Sequence, residues 1–273
     1  KESEDHLFPK NIPTITIGTH ALFQSSFTMN DVGLVVIDEQ HKFGVNQRDL
    51  LLRKGHFPHL LVMTATPIPR TLGLTLYGDL DCSVIDEIPA GRGKINTYVR
   101  TPSSRDKIIT FLKEQISSGR QAYVIFPRVK NEDPNIGIKA VNAESKRLSK
   151  EFHAHNIGVL HGRLKPDEKA QIMTEFRENR IQVLLSTTVV EVGVDVPNAN
   201  LMLIENADQF GLAQLHQLRG RIGRGEHESY CILLTTDESN QPNERLKVLE
   251  QTNDGFKVAE ADLQLRGPGE LTG

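Results

Sequence analysis

The stretch LVVIDEQHKFGV occupies residues 34–45. Its first four residues are apolar, too few for a helix, and they end against two adjacent carboxylates. That pattern predicts a short buried strand over 34–37 whose carboxyl end presents Asp38 and Glu39. A strand apolar at every position suits a parallel sheet covered on both faces. At the carboxyl edge of such a sheet, one carboxylate can hold a hydrated Mg²⁺ and the next can activate a water against a phosphate. Taken alone, the same pair reads equally well as a polar strand end closing a turn.

Outward from this strand the pattern repeats. Short apolar runs at 15–17, 60–63, 97–100, 122–126, 158–160, 183–186, 201–204 and 230–234 predict further strands. Between them, 47–53, 71–76, 103–118, 144–155 and 166–178 read as helices. Ser103 or Ser104 is available as N-cap of one, with Gly119 as its stop, and Pro166 opens another with two acids behind it. Residues 130–138 read as a surface loop. The run PAGRG at 89–93 suits neither helix nor strand and predicts a joint. The tail over 244–265 is helical, and Asn253-Asp254-Gly255 divides it into a two-helix hairpin. Strand–helix alternation on both sides of a joint predicts an α/β protein with two parallel-sheet halves and a cleft between them. The boundaries fall at 1–88, a hinge over 89–96, 97–240, and a helical hairpin from 241 to 273.

The chain has 273 residues, 38% of them hydrophobic, which suffices for one large core or two ordinary ones. A net charge of −3 carries no global basic signal, so any nucleic-acid contact must be gathered on one surface. Cys82 and Cys231 both sit in apolar sequence and are expected as buried, reduced thiols. The ten histidines show no zinc-ligand spacing with the two cysteines. No apolar run approaches the ~20 residues of a membrane helix, and the polar N-terminus is unlike a signal segment. A cytoplasmic protein is the simplest expectation.

Three later stretches change the weight of Asp38 and Glu39. MTATPIPR stands at 63–70, TTVVEVGVD at 187–195 and QLHQLRGRIGR at 214–224. Together with DEQH at 38–41, and in this order, they resemble motifs II, III, V and VI of the superfamily 2 helicases. DEQHKFGV at 38–45, GTHA at 18–21 and RGPGELTG at 266–273 narrow the resemblance to the RecG family, DNA helicases that remodel branched DNA. The resemblance covers essentially the whole chain. Related transcription-repair coupling translocases usually carry Glu-Gln where this chain has Gln40-His41, and usually lack the proline found at Pro268. Lys42 stands where arginine is common in the family, keeping the charge but not the guanidinium fork.

The resemblance implies two RecA-like motor domains, the first of them truncated, followed by the hairpin and the start of a translocation motif. It implies ATP and Mg²⁺ as cofactors and branched or duplex DNA as partner. It implies no membrane, no small-molecule substrate beyond ATP, and a monomer. By motif position, Asp38 assists Mg²⁺ and Glu39 is the base for the attacking water, while Gln40 and His41 sense the nucleotide. Thr64 and Thr66 couple hydrolysis to domain movement, although strand-end hydroxyls often just bond backbone. Gln217, Arg221 and Arg224 are spaced to stack on one helix face, the usual mark of a solvated basic helix. Gly220, Gly223 and Gly225 make a poor helix interior, so Arg221 and Arg224 are read as arginine fingers, with Gln217 at the nucleotide. Gly193 and Asp195 are assigned to the nucleotide side, the carboxylate at the ribose or positioning its own loop. Thr19, His20, Arg163, Thr187 and Arg266 are the DNA-contact candidates, suited to backbone tracking without sequence reading.

No G-x-x-x-x-G-K-[ST] loop occurs in the sequence. Residue 1 is therefore read as lying inside the first motor domain, and the 273 residues alone are expected to show little or no ATP hydrolysis. Two other readings remain open at this stage. One is the transcription-repair translocase; the other is a non-catalytic DNA-binding remnant, against which the intact Glu39, Arg221 and Arg224 argue.

Overall fold

In a computed structural model, the structure describes residues 13–24, 27, 29, 32–39, 50, 58–65, 81–85, 87, 91–127, 144–187, 195–238 and 243–266. The chain divides into two compact units, Lys1–Thr66 and Pro67–Gly273.

In the first unit, β1 (Leu34–Ile37) and β2 (His59–Val62) pair in parallel, with Ile37 opposite Val62. The strand expected at 34–37 is present, but only Val35 and Ile37 are buried while Leu34 and Val36 are exposed, so it is not buried on both faces; the strand expected at 60–63 begins and ends one residue earlier. Residues 15–17 are not a strand: Ile15 and Ile17 are 90% and 91% exposed, and no described segment pairs with them. A strand exists through its neighbour's hydrogen bonds, which an apolar run cannot supply for itself. The helices expected at 47–53 and 71–76 and the loop at 130–138 lie outside the described residues, apart from a helical Leu50.

The second unit is built on six parallel strands. They are β3 (Ile95–Arg100), β4 (Gln121–Phe126), β5 (Ile157–Leu160), β6 (Val183–Thr187), β7 (Ala199–Ile204) and β8 (Ser229–Leu234). Their spatial order is β3-β8-β7-β4-β6-β5. Successive side chains point to opposite faces, so the inner strands β4, β6, β7 and β8 feed two cores. Tyr123, Ile125, Leu184, Met202, Ile204, Cys231 and Leu233 enter one; Val124, Leu185, Leu201, Leu203, Ile232 and Leu234 enter the other.

Helix α1 (Arg105–Ser117) and helix α2 over 144–151 cover the second face through Ile108, Leu112, Ile116 and Leu148. The first face is covered by α3 (Pro166–Arg177) and α4 (Leu212–Arg219) together with the hairpin α5 (Glu244–Gln251) and α6 (Gly255–Arg266). The chain enters α1 through a 3₁₀ turn at Pro102–Ser104. Ser104 occupies the N-cap position, but its side chain makes no cap bond. Gly119 ends the helix at φ +93°, as its position in sequence predicts. Helix α2 stops at 151, four residues short of expectation, because 152–155 turn to bring Phe152 into the core. The hairpin divides where Asn253-Asp254-Gly255 predicts, with Asp254 Oδ1 accepting from Phe256 N–H at 2.9 Å.

Cys231 is fully buried, but Cys82 is exposed, contrary to expectation; both are free thiols. Residues 81–85 contain neither helix nor strand, so nothing local turns Cys82 toward a core.

Candidate functional site

Asp38 and Glu39 follow β1 directly, and Thr64 stands two residues beyond β2, so parallel pairing brings all three to one sheet edge. Met63 N–H donates to Ile37 O at 2.8 Å, extending the pairing to that edge. Asp38 is exposed, and its Oδ1 accepts from Glu39 N–H at 2.8 Å. Glu39 is half-buried and holds φ +52°, a left-handed conformation that a non-glycine residue adopts at a cost of about 1 kcal/mol or more. Gln40, His41 and Thr66 lie outside the described residues. Thr19 is exposed and precedes a single 3₁₀ turn, His20–Phe23, without capping it.

In the second unit the candidates divide between the two edges of the sheet. Thr187 is the last residue of β6, and Arg163 lies in the loop after β5, its neighbour. Both therefore stand at the carboxyl edge. Asp195 precedes β7, and Arg221 and Arg224 precede β8, which puts them at the amino edge. Asp195 and Arg224 form an ion pair at 3.7 Å. Burial pushes the Tyr123 phenol up to about 12, opposed by the charges of Arg224 and Arg221. Gly193 lies outside the described residues, and Arg266 is the last residue of α6.

Helix α4 ends at Arg219, so Gln217 sits on a helix while Arg221 and Arg224 lie in the loop beyond it. The three do not share a helix face. Gly223 at φ +75° makes the turn, and its Cα lies close enough to Ile95 that an added Cβ would come within 2.7 Å. The loop is also clamped from the joint. Gly93 N–H donates to Gly225 O at 2.8 Å, and a Cβ on Gly93 would fall 2.0 Å from His227 O. Ile95 and Asn96, within the span read as a hinge, are the first residues of β3.

Arg219 lies outside the site positions named above and is 3% exposed. A signal was present: Leu212, Leu215 and Arg219 share one helical stripe at spacings of three and four, so a cation occupies a core position. Its Nη1 donates to Leu249 O at 2.7 Å and Thr252 O at 3.0 Å, and its Nη2 meets His216 Nδ1 at 2.9 Å. A guanidinium can only donate, so His216 Nδ1 is the acceptor and its proton rests on Nε2. Burial and then the Arg219 charge push the imidazole down to about 4. On the other side of the sheet, Arg105 pairs with the buried Glu205 and stands 3.6 Å from Glu144. Burial pushes the Glu205 carboxyl up against the opposing pull of Arg105.

Comparison with known proteins places these features in a family context. The profile of the helicase conserved C-terminal domain matches residues 104–226 and that of the DEAD/DEAH box helicase matches 1–74. A third, for the C-terminal part of domain 3 of ATP-dependent DNA helicase RecG, matches 252–273. The chain is 55% identical to ATP-dependent DNA helicase RecG of Synechocystis and 51% identical to that of Bacillus subtilis. Each match covers 95% of this chain but only 31% and 38% of the relative, so the chain spans about a third of their length. Among solved structures, one of RecG bound to a three-way DNA junction superposes with a TM-score of 0.73. It is 46% identical, with 93% of this chain and 33% of that one covered. Saccharomyces cerevisiae Dbp5, bound to RNA and ADP BeF3, matches at a TM-score of 0.55 and 18% identity over 91% of this chain and 61% of its own, sharing the fold.

Proposed function

Because the chain belongs to the RecG family of ATP-dependent DNA helicases, we propose that it forms the motor region of a protein that uses ATP to remodel branched DNA. The setting is recombination and repair. The observation that carries this reading is the pair of adjacent carboxylates at the end of β1, in a chain 46% to 55% identical to RecG proteins along nearly its whole length. The domain reading is 1–88 for the first motor domain, 89–96 for the hinge, 97–240 for the second, and 241–273 for the hairpin and translocation motif.

Asp38 and Glu39 would suit a hydrated Mg²⁺, because two hard oxygen donors at a sheet edge are the ligands such an ion takes from protein. Among the described residues, no group of three His, Cys, Asp or Glu could form a protein-only metal cage. When bound, the ion supplies neutralisation of phosphate charge. Asp38 holds its water shell, and Glu39 takes the proton from the attacking water. Gln40, His41, Gly193, Asp195 and Gln217 contact or sense the nucleotide. Arg221 and Arg224 donate to charge developing on the γ-phosphate, and Thr64 and Thr66 couple this chemistry to movement. Thr19, His20, Arg163, Thr187 and Arg266 contact the DNA backbone. No helix among the described residues is long and apolar enough to cross a membrane. A cytoplasmic monomer completes the proposal.

The test is Glu39→Gln in the full-length gene product. Removing a general base should lower DNA-stimulated ATP hydrolysis about 100-fold or more while ATP binding holds. A variant that hydrolyses ATP at the unaltered rate would remove Glu39 from the chemistry. A full-length protein with no DNA-stimulated hydrolysis would overturn the reading as a whole.

A further inference from the structure

We propose that Asn200 is a positioning residue: its side-chain amide fixes the loop that carries Arg224 to the body of the second unit's sheet, so that the guanidinium is held in place for the nucleotide. The inference rests on the motor reading above and adds to it a residue outside the motifs quoted from the sequence.

The loop over 220–228 leaves the end of α4 and enters β8 at Ser229. Ladder pairing between β7 and β8 starts at Leu201 and Tyr230. Before that first pair, Asn200 Nδ2 donates to Glu228 O at 2.9 Å, so a side chain carries the join of the two strands back into the loop. Asn200 is itself anchored on its other side. Its N–H donates to Asn198 O at 3.1 Å, and Asn198 Nδ2 donates to Gly119 O at 2.8 Å and to Gln121 Oε1 at 3.2 Å. Gln121 is fully buried at the start of β4 and donates in turn to Phe176 O and Ile181 O. Glu228 O is thereby tied through two asparagines to the amino end of β4. The same segment meets the loop twice more. Asp195 pairs with Arg224 at 3.7 Å, and a Cβ on Gly225 would fall 2.6 Å from Pro197 O.

Packing alone gives no reason for an amide at this position. Asn200 is 4% exposed, in a strand whose other five residues are apolar and buried. Its Oδ1 is buried too and accepts no hydrogen bond from the described residues, so half of the amide is desolvated without return. Leucine, with the same branching at Cγ, would carry no such penalty. What leucine cannot do is donate to Glu228 O. The ion pair and the Gly93 and Pro197 contacts reach the loop at Arg224 and Gly225, whereas Asn200 holds its downstream end. The segment that carries Arg224 into β8 is therefore fixed at both ends, and a guanidinium that must meet developing charge works best when its place is set in advance.

Asn200→Leu and Asn200→Ala in the full-length gene product test this, each alone and combined with Arg224→Ala. Both remove the donor, but one fills the space and the other empties it, so a shared effect belongs to the hydrogen bond. The readouts are kcat and KM for DNA-stimulated ATP hydrolysis and amide hydrogen exchange over 221–229. Alone, each variant should lower kcat about tenfold or more while KM for ATP holds within about threefold. Exchange over 221–229 should rise about tenfold or more with β4 unchanged. Beside Arg224→Ala the arginine to be positioned is gone, so each should lower kcat by less than about twofold further. The same fractional loss in both backgrounds would overturn the proposal, because Asn200 would then act independently of Arg224. Unchanged kcat would overturn it too, and so would exchange that rises equally in β4, the mark of a general folding defect. If the unaltered protein showed no DNA-stimulated hydrolysis, the motor reading would fail and take the catalytic role with it, and exchange over 221–229 alone would decide whether Asn200 holds the loop.

Discussion

His216 shows how a single ring can report the state of its surroundings. It accepts from Arg219, and acceptance requires the neutral form. Burial and the neighbouring positive charge depress its folded pKa to about 4 from an ordinary 6.5. The sign follows from linkage: protons bind the unfolded ring more readily, so this stabilisation is fully present above 6.5 and is lost as pH falls toward 4. Urea midpoints of the unaltered chain and His216→Gln, measured at pH 7 and pH 4.5, should therefore differ most at neutral pH and converge in acid. A gap that stays constant between the two pH values would show that the ring does not titrate in this way. Asp195 and Arg224 pose a separate question at the same scale. Asp195 is 56% exposed at the side chain, so their ion pair contributes little stability. Its consequence is orientation of a guanidinium assigned to the γ-phosphate. Asp195→Asn should change the unfolding free energy by less than ~1 kcal/mol, yet lower kcat in the full-length protein more than it raises KM for ATP. Equal changes in both constants would argue for simple nucleotide binding by Asp195.

At the scale of elements, β3 is one of the two edge strands of the larger sheet, β5 being the other, with β8 as its one neighbour in the strand order. Its outward amides are a template for unwanted pairing. Glu250 on α5 blocks it: the carboxylate accepts from Val99 N–H and stands 3.5 Å from Arg100. Glu250→Ala should cost about 1–3 kcal/mol in urea unfolding, because it orphans that amide, and should raise light scattering on storage. An unchanged midpoint would mean that water satisfies Val99 equally well. Elements of this kind were legible to different degrees. β4 and β7 are buried at all six positions, so unbroken apolar runs revealed them, and misreadings were confined to their first residues, Gln121, Ala199 and Asn200. Gln121 is polar yet buried because its side chain donates to Phe176 O and Ile181 O, a tertiary fact without local trace. Residues 15–17 failed for the converse reason, an apolar run without a described partner. Asp38, Glu39 and Arg224 could be picked out because their chemistry is compressed into short motifs. For Arg219 the apolar stripe marked the position, but not its partners Leu249 and Thr252, which lie thirty residues or more away.

Across the whole molecule, the candidates fall into chemically complementary groups whose members are far apart in sequence. Asp38, Glu39 and Thr64 share one edge of the first unit's sheet. In the second unit, Asp195, Arg221 and Arg224 take the amino edge, and Arg163 and Thr187 the carboxyl edge. Within that second sheet, the groups assigned to nucleotide and to DNA are thus separated by the length of the strands, and a rigid parallel core joins them. Mechanical transmission needs such a body, since a packed core shifts as a unit rather than deforming continuously. The machinery has one chemical gap. A phosphate cradle of backbone amides with its lysine, G-x-x-x-x-G-K-[ST], occurs nowhere in the 273 residues. In the roles proposed for them, Glu39, Arg221 and Arg224 accelerate little if the triphosphate is not held in place. The 273-residue chain assayed alone should therefore hydrolyse ATP at least about 100-fold more slowly than the full-length gene product, the scale of losing preorganised donors from a charged transition state. Phosphate release at saturating ATP and fork DNA measures this directly. Turnover by the chain within a few-fold of the full-length protein would require another phosphate cradle within these residues, and would overturn the assignment of Asp38 and Glu39 as partners of an absent loop.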